Sequence, residues 1–177
     1  MVYLAISKPN KRSIGEQRAE GTRLLGALLS EAGERPDLEL SRDENGRPYI
    51  IGRKDLDLSL SHSEMLVACV LSVGEGRVGV DTEPLEPTVP ADRRICFAKR
   101  YFSEREIGRL YGNALEFSRI WTGKEAILKR EGIGLSAPLA QTDTLDLPDD
   151  VRLVTVETEG HAVTVCLKKD AELKIIK

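Results

Sequence analysis

Histidine, cysteine and aromatic residues are scarce in this chain: it has two His, three Cys, one Trp and 5% aromatics in total. Two histidines, His62 and His161, cannot build a histidine-rich metal centre. Cys69, Cys96 and Cys166 are odd in number and widely spaced, and no Cys-x-x-Cys pair occurs, which argues against a zinc site and a disulfide framework. All three read as buried small hydrophobes. No apolar run approaches the ~20 residues of a membrane-spanning helix, and Met1-Val2-Tyr3-Leu4-Ala5-Ile6 lacks a basic leader and a cleavage signature. The chain therefore reads as cytoplasmic, with no membrane partner. Charge of one sign is also missing: 26 basic against 29 acidic residues leave a net charge of −3, which speaks against nucleic-acid binding by charge.

What is present suffices for one core, or for two small cores sharing an interface: 177 residues, 41% of them hydrophobic. Residues 2–7 read as a strand. Residues 16–32 have helical periodicity, with Leu24, Leu25, Leu28 and Leu29 on one side and Gly33 as a stop. A strand at 38–41 leads into a turn marked by Asn45-Gly46. Leu56, Leu58 and Leu60 alternate with polar residues, and 65–73 is a continuous apolar run, so two more strands are expected before Gly74-Glu75-Gly76 turns the chain. After that turn come a strand at 77–83, a helix at 92–101, and a short helix entered through the capping-box pattern of Ser103 and Glu106. A long helix at 115–131, a loop at 138–150 and a hairpin over Glu159-Gly160 complete the order. It resembles one α+β unit used twice: residues 1–75 and 76–177, with a ligand cleft between the halves.

Three segments carry candidate chemistry. In Gly79-Val80-Asp81-Thr82-Glu83, strand alternation puts Asp81 and Glu83 on one face with Gly79, which leaves that face open for a ligand. Two carboxylates so placed repel one another unless solvated or bridged by a cation. In Trp121-Thr122-Gly123-Lys124-Glu125-Ala126-Ile127-Leu128-Lys129, helical spacing aligns Trp121, Glu125 and Lys129, with Lys124 alongside. An all-oxygen donor set suits Mg²⁺, or Mn²⁺, together with a phosphate; a Glu125–Lys129 ion pair on a solvated face is the simpler alternative. In Ser59-Leu60-Ser61-His62-Ser63, His62 shares the parity of Leu56, Leu58 and Leu60 and faces the interior or a cleft, as a core histidine or as a phosphate contact or proton relay. Arg47, beside the turn, and Arg23, in the first helix, are weaker phosphate candidates or plain surface charges.

These three segments, in this order, resemble the Sfp-type phosphopantetheinyl transferases of the holo-acyl-carrier-protein synthase superfamily. Gly46-Arg47-Pro48, Tyr101-Phe102-Ser103-x-x-Glu106 and Gly132-Ile133-Gly134-Leu135 extend the likeness over residues 45–136. The resemblance implies a pseudo-dimeric α+β fold with the active site in the cleft. It also implies transfer of 4′-phosphopantetheine from coenzyme A to a serine of an apo carrier protein, with release of 3′,5′-ADP. It gives Asp81, Glu83 and Glu125 as Mg²⁺ ligands and Lys129 as the lysine near the phosphates. Ser61 and His62 become contacts to the ribose phosphate end, and Gly46, Arg47, Arg23 and Lys124 further coenzyme A contacts. The family's usual lysine is replaced by Arg47, which alters hydrogen-bond geometry. The segment before Leu24 is short, and Lys8, Lys11, Arg12 and Arg18 cannot be aligned with the family's basic residues there.

On this basis Glu125 is the first candidate for the general base and Glu106 the alternative. The basic run Arg93, Arg94, Lys99 and Arg100 is a candidate docking surface for an acidic carrier, with Phe102, Phe117 and Trp121 nearby. A solvated helix face over core aromatics is the other reading of that run. A monomer is expected. A metal-dependent phosphoanhydride hydrolase and a non-catalytic coenzyme A- or carrier-binding module are the competing functions.

Overall fold

A computed structural model describes residues 1–9, 13–87, 89–110, 114–133 and 139–176. Strand β1 (Val2–Ser7) leads into helix α1 (Ile14–Glu31), whose N-cap Ser13 accepts the Glu16 N–H at 3.3 Å. Gln17, Gly21, Leu24, Leu25, Leu28 and Leu29 form the buried face of α1 at the three-to-four-residue spacing read from the sequence. A short ribbon of β2 (Leu40–Arg42) and β3 (Pro48–Ile50) follows, then the hairpin β4 (Leu56–Ser63) and β5 (Leu66–Val73). The second half runs β6 (Gly79–Pro84), α2 (Ala91–Tyr101), α3 (Glu104–Arg109), α4 (Ala114–Glu131), a 3₁₀ turn (Leu139–Gln141) and the hairpin β7 (Val151–Thr158) and β8 (His161–Lys168). The chain then adds β9 (Leu173–Ile176).

The mixed α+β class is as expected, and one connectivity occurs in both halves. In the first sheet, of order β4-β5-β1-β9, the hairpin's second strand β5 lies antiparallel to β1; in the second, β6-β8-β7, β8 lies antiparallel to β6. Alternation sorts the side chains. Ala5, Leu58, Val67, Cys69 and Leu71 meet the leucines of α1 on one face of the first sheet. Val2, Leu4, Leu66, Ala68 and Val70 meet Val78, Val80, Val163, Val165 and Leu167 of the second sheet on the other. Ala126 of α4 then covers Val151 and Cys166 on the far face. The layers are helix, sheet, sheet, helix, with the two sheets sharing the central core.

Two strands escape the sequence reading. β3 is only three residues long, and β9 pairs in parallel with β1, bringing Leu173 opposite Val2. The first sheet is thus built from both ends of the chain, and the division at residues 75 and 76 omits this return. The cysteine expectation also needs correction. Cys69 and Cys166 are buried, but Cys96 is exposed on α2. Burial pushes the Cys166 thiol up to about 12 and raises that of Cys69 further, so both are held as neutral thiols.

Candidate functional site

The edge of β6 is closed by side chains of β4 rather than by another strand. Asp57 Oδ2 accepts the Val78 N–H at 2.8 Å and Ser59 Oγ accepts the Val80 N–H at 3.2 Å. Ser61 Oγ donates to Asp81 Oδ1 at 2.8 Å, and Ser63 Oγ to Glu83 at 3.3 Å. Every second residue of β4 therefore faces the second half: Asp57 and Ser59 satisfy backbone N–H groups of a strand edge that would otherwise be orphaned, and Ser61 and Ser63 meet its carboxylates. Leu56 and Leu58, of the opposite parity, pack under α1, while His62 of that same parity emerges exposed into a cleft.

Helix α4 lies across the other side of β6. A Cβ on Gly79 would stand 2.0 Å from the Ala126 carbonyl oxygen and 2.6 Å from the Arg130 nitrogen. Gly79 thus opens no space for a ligand, contrary to expectation; it lets α4 seat its backbone on the strand. Seated there, Lys129 places its ammonium 2.6 Å from Asp81 Oδ1 and 2.9 Å from Ser61 Oγ. The lysine reaches across to β6 rather than along its own helix to Glu125. One residue from each of the three candidate segments meets at this point.

The carboxylates around it are strained electrostatically. Burial, then the charge of Asp81, pushes Glu83 up to about 7 from its ordinary 4.5. Burial and Asp81 also raise Glu125, against a smaller opposing pull from Lys129. Asp81 is 5% exposed, and its Oδ2 is buried with no hydrogen-bond partner. Among the described residues no group of three or more His, Cys, Asp or Glu side chains is arranged to hold a metal ion. Hard oxygen donors, mutual repulsion and an orphaned carboxylate oxygen still fit a divalent cation of the Mg²⁺ kind.

Beside this point opens a cleft of ≈590 Å³, within the range of small-molecule sites. Arg18 and Thr22 of α1, Arg42, Gly46 and Arg47 of the ribbon, Ser61 and His62 of β4, and Lys129 line it, over an apolar floor that includes Leu60 and Leu128. Gly46 sits in the turn at φ +82°, where a side chain would be strained, and the turn is tied by Asp43 Oδ1 accepting the Arg47 N–H at 2.8 Å. Arg23 does not reach the cleft. It is bound to Glu20 on the solvated side of α1, and the helical phase presents Arg18 instead. Spacing from Gln17 and Gly21, both on the buried face, is the signal that would have favoured Arg18.

Lys124 and Glu106 also lie elsewhere. Both are fully buried and paired with each other at 2.7 Å. Glu106 accepts the Ser103 N–H of its capping box and both the N–H and hydroxyl of Thr144, at 2.8 Å each. Lys124 donates to the carbonyls of Leu139 and Thr142. A coenzyme A contact for Lys124 and a base role for Glu106 do not fit groups without solvent access; the pair ties α4 to α3 and to the chain at 139–144. On the same helix Thr122 bonds Thr164 Oγ1 at 2.7 Å, and a Cβ on Gly123 would meet Thr144 at 2.9 Å. In the Trp121–Lys129 segment, Thr122, Gly123, Lys124 and Ala126 serve packing, and Glu125 and Lys129 face the β6 carboxylates.

All three phenylalanines of the chain join Trp121 and Tyr101 in one aromatic cluster under α2. Phe102 and Phe117 are buried there; Tyr101, Phe97 and Trp121 are partly open, the last two beside Glu83 in a small apolar recess of ≈200 Å³. On α2, Arg93, Lys99 and Arg100 are exposed with Ile95, whereas Arg94 is occupied by Glu86 and the Val89 carbonyl. Gly134, Leu135, Lys11 and Arg12 lie outside the described residues.

A family model described as the 4′-phosphopantetheinyl transferase superfamily matches residues 77–175. The chain belongs to the 4′-phosphopantetheinyl transferase superfamily. It is 30% identical to the 4′-phosphopantetheinyl transferase AcpT of Salmonella typhi, over 94% of this chain and 92% of that protein. It is 31% identical to a 4′-phosphopantetheinyl transferase of Bacillus subtilis and 29% identical to the 4′-phosphopantetheinyl transferase Sfp of B. subtilis strain 168. The chain spans 56% and 64% of the lengths of those two relatives. The superfamily match contains Asp81, Glu83, Glu125 and Lys129, while the cleft residues Arg18, Arg47, Ser61 and His62 precede it. Among the described residues no helix is long and apolar enough to cross a membrane.

Proposed function

We propose that this chain transfers the 4′-phosphopantetheine arm of coenzyme A to a serine of an apo carrier protein, in the cytoplasm and as a monomer. One observation carries the reading: Ser61, Asp81 and Lys129, from three separated segments, meet within 2.9 Å at the end of a cleft lined by basic side chains.

In this reading the cleft takes the nucleotide end of coenzyme A, with Arg18 and His62 at its phosphates and Leu60 and Leu128 beneath the base. Asp81, Glu83 and Glu125 would hold Mg²⁺, or Mn²⁺. When bound, the ion polarises the pyrophosphate and offsets charge on the departing 3′,5′-ADP. Lys129 is held by Asp81 and Ser61, so its ammonium is oriented before substrate arrives and neutralises charge growing on the phosphate oxygens. Glu125 takes the proton of the carrier serine at a carboxylate oxygen. The recess under Trp121 adjoins Glu83 and has the apolar character to receive the pantetheine arm. The exposed Arg93, Lys99 and Arg100 flank that recess from α2 and offer charge to an acidic carrier.

The test is the intact mass of an apo carrier after incubation with this chain, coenzyme A and Mg²⁺. A gain of one phosphopantetheine, lost with EDTA, with a carrier Ser→Ala variant and with Glu125→Gln, is the expected result. Coenzyme A cleavage without any carrier would replace this reading with a phosphoanhydride hydrolase. Binding without cleavage or transfer would replace it with a non-catalytic module. Glu125→Gln turnover within a few-fold of wild type would remove the base assignment.

A further inference from the structure

Arg47 is the cleft's least free cation: its side chain is 10% exposed and spans four segments. Nη1 donates to the Lys129 carbonyl; Nη2 donates to Asp57 Oδ2 and, at 3.0 Å, to the Val78 carbonyl. The same Asp57 oxygen accepts the Val78 N–H at 2.8 Å. The turn after β2, strand β4, the residue leading into β6 and the last turn of α4 are thereby joined at one guanidinium–carboxylate pair. The neighbours of Arg47 act on the same helix end. Asn45 Nδ2 donates to the Gly132 carbonyl at 2.9 Å, and Arg77 Nη1 to the Glu131 carbonyl at 2.7 Å. Gly132 has φ +73°, and a Cβ there would stand 3.2 Å from Arg47 Cδ.

The last carbonyls of a helix have no partner within it, and its C-terminus carries partial negative charge. Here two guanidiniums and an amide close that end of α4. The residue whose carbonyl Arg47 holds is Lys129, the same residue whose ammonium reaches Asp81 and Ser61. Three of the five N–H bonds of Arg47 point away from ligand space into this junction.

We infer that Arg47, locked by Asp57, is a positioning residue that fixes the last turn of α4 and so aims Lys129 at Asp81. This rests on the transferase reading above. A lysine at position 47 would keep the charge, but its single nitrogen cannot span the Asp57 carboxylate and two carbonyls of different elements. Asp57→Asn keeps the shape and removes the charge that orients the guanidinium.

The experiment is a pair of double-mutant cycles in the full chain: Arg47→Lys and Asp57→Asn, each alone and combined with Lys129→Met. The readouts are kcat, the KM for coenzyme A, the melting temperature and the ¹H–¹⁵N signal of the Lys129 ammonium. Each single variant is expected to lower kcat by ~10- to 100-fold, with the KM for coenzyme A within about threefold of wild type. In the Lys129→Met background each should lose its effect, because the route through Lys129 has gone. A tenfold rise in KM at unchanged kcat would make Arg47 a ligand and overturn the inference. So would an undiminished effect in the Lys129→Met background. Should the wild type transfer nothing, the Lys129 signal still decides. Its loss or broadening in Arg47→Lys or Asp57→Asn supports positioning, and an unmoved signal in both folded variants refutes it. If Arg47→Lys fails to fold, the isosteric Asp57→Asn carries the same test.

Discussion

Substituting Gly79 with alanine adds one methyl group at the contact on which the site depends. That carbon would sit 2.0 Å from the Ala126 carbonyl oxygen, 2.6 Å from the Arg130 nitrogen and 3.0 Å from the Ala126 carbonyl carbon. All three are helix backbone, so no side chain can swing aside, and α4 must retreat by more than about 1 Å to restore ordinary contact. Overpacking of this kind costs ~1–3 kcal/mol, and an immovable obstacle places it near 3. For a chain of this size that is a fall in melting temperature of roughly 6–12 °C. The same retreat carries Lys129 and Glu125 away from Asp81, and ~1 Å of misplacement in a reacting constellation is worth about 100-fold in rate. Gly15→Ala is the control: it lies in the first turn of α1 with nothing within 4 Å of its added carbon. There the helix preference of alanine should stabilise the protein by about 0.5–1 kcal/mol. Thermal melts and the mass assay on both variants suffice. A Gly79→Ala protein melting within ~1 °C of wild type with full turnover would refute the packing argument. So would equal destabilisation by the two alanines.

Lys124→Met should leave the Glu106 carboxylate fully buried without its cation, at a cost of about 3–5 kcal/mol; a fall of under ~3 °C in melting temperature would show the pair to be dispensable. Glu83 supplies a pH signature. Its proton is held more tightly in the folded protein, up to about 7, than in the unfolded chain near 4.5. Its contribution is therefore fully present below pH 4.5 and is lost as pH rises through 7. Allowing for solvent screening, the loss is on the order of 1–2 kcal/mol in metal-free buffer. Glu83→Gln should flatten that part of the stability–pH curve and be the more stable protein at pH 8, as denaturant titrations at pH 5 and pH 8 would reveal. Parallel curves for the two proteins would remove Glu83 as the cause.

Elements with a strong local signal were legible before the fold was known. The leucine stripe of α1, the capping box of Ser103 and Glu106, the apolar run of β5 and the Glu159-Gly160 hairpin all stand where periodicity and turn chemistry put them. β9 was not legible, because Leu173-Lys174-Ile175-Ile176 becomes a strand by pairing with β1, more than 160 residues earlier in the chain. Within the candidate site, the grouping of Asp81, Glu83, Glu125 and Lys129 was legible by type and spacing. Lys124 and Glu106 looked equally chemical, because a sequence shows charges without showing which of them have solvent.

By itself the sequence determined the α+β class, the superfamily and which segments carry the clustered carboxylates and a lysine, since these rest on residue type, alternation and order along the chain. Only the tertiary structure decided where those residues are placed relative to one another. It turned Gly79 from an opening into a helix seat, because α4 happens to cross β6 there. It withdrew Lys124 and Glu106 into a buried pair and put Arg18 rather than Arg23 on the cleft, because helix phase and layer packing set exposure. It set Asp57 and Ser59 against the edge of β6, because an edge strand's backbone groups must find partners and the nearest were on β4, and the same alternation brought Ser61 to the Asp81 carboxylate. Such assignments depend on contacts between residues far apart in the chain, and those contacts exist only once the two sheets have packed together.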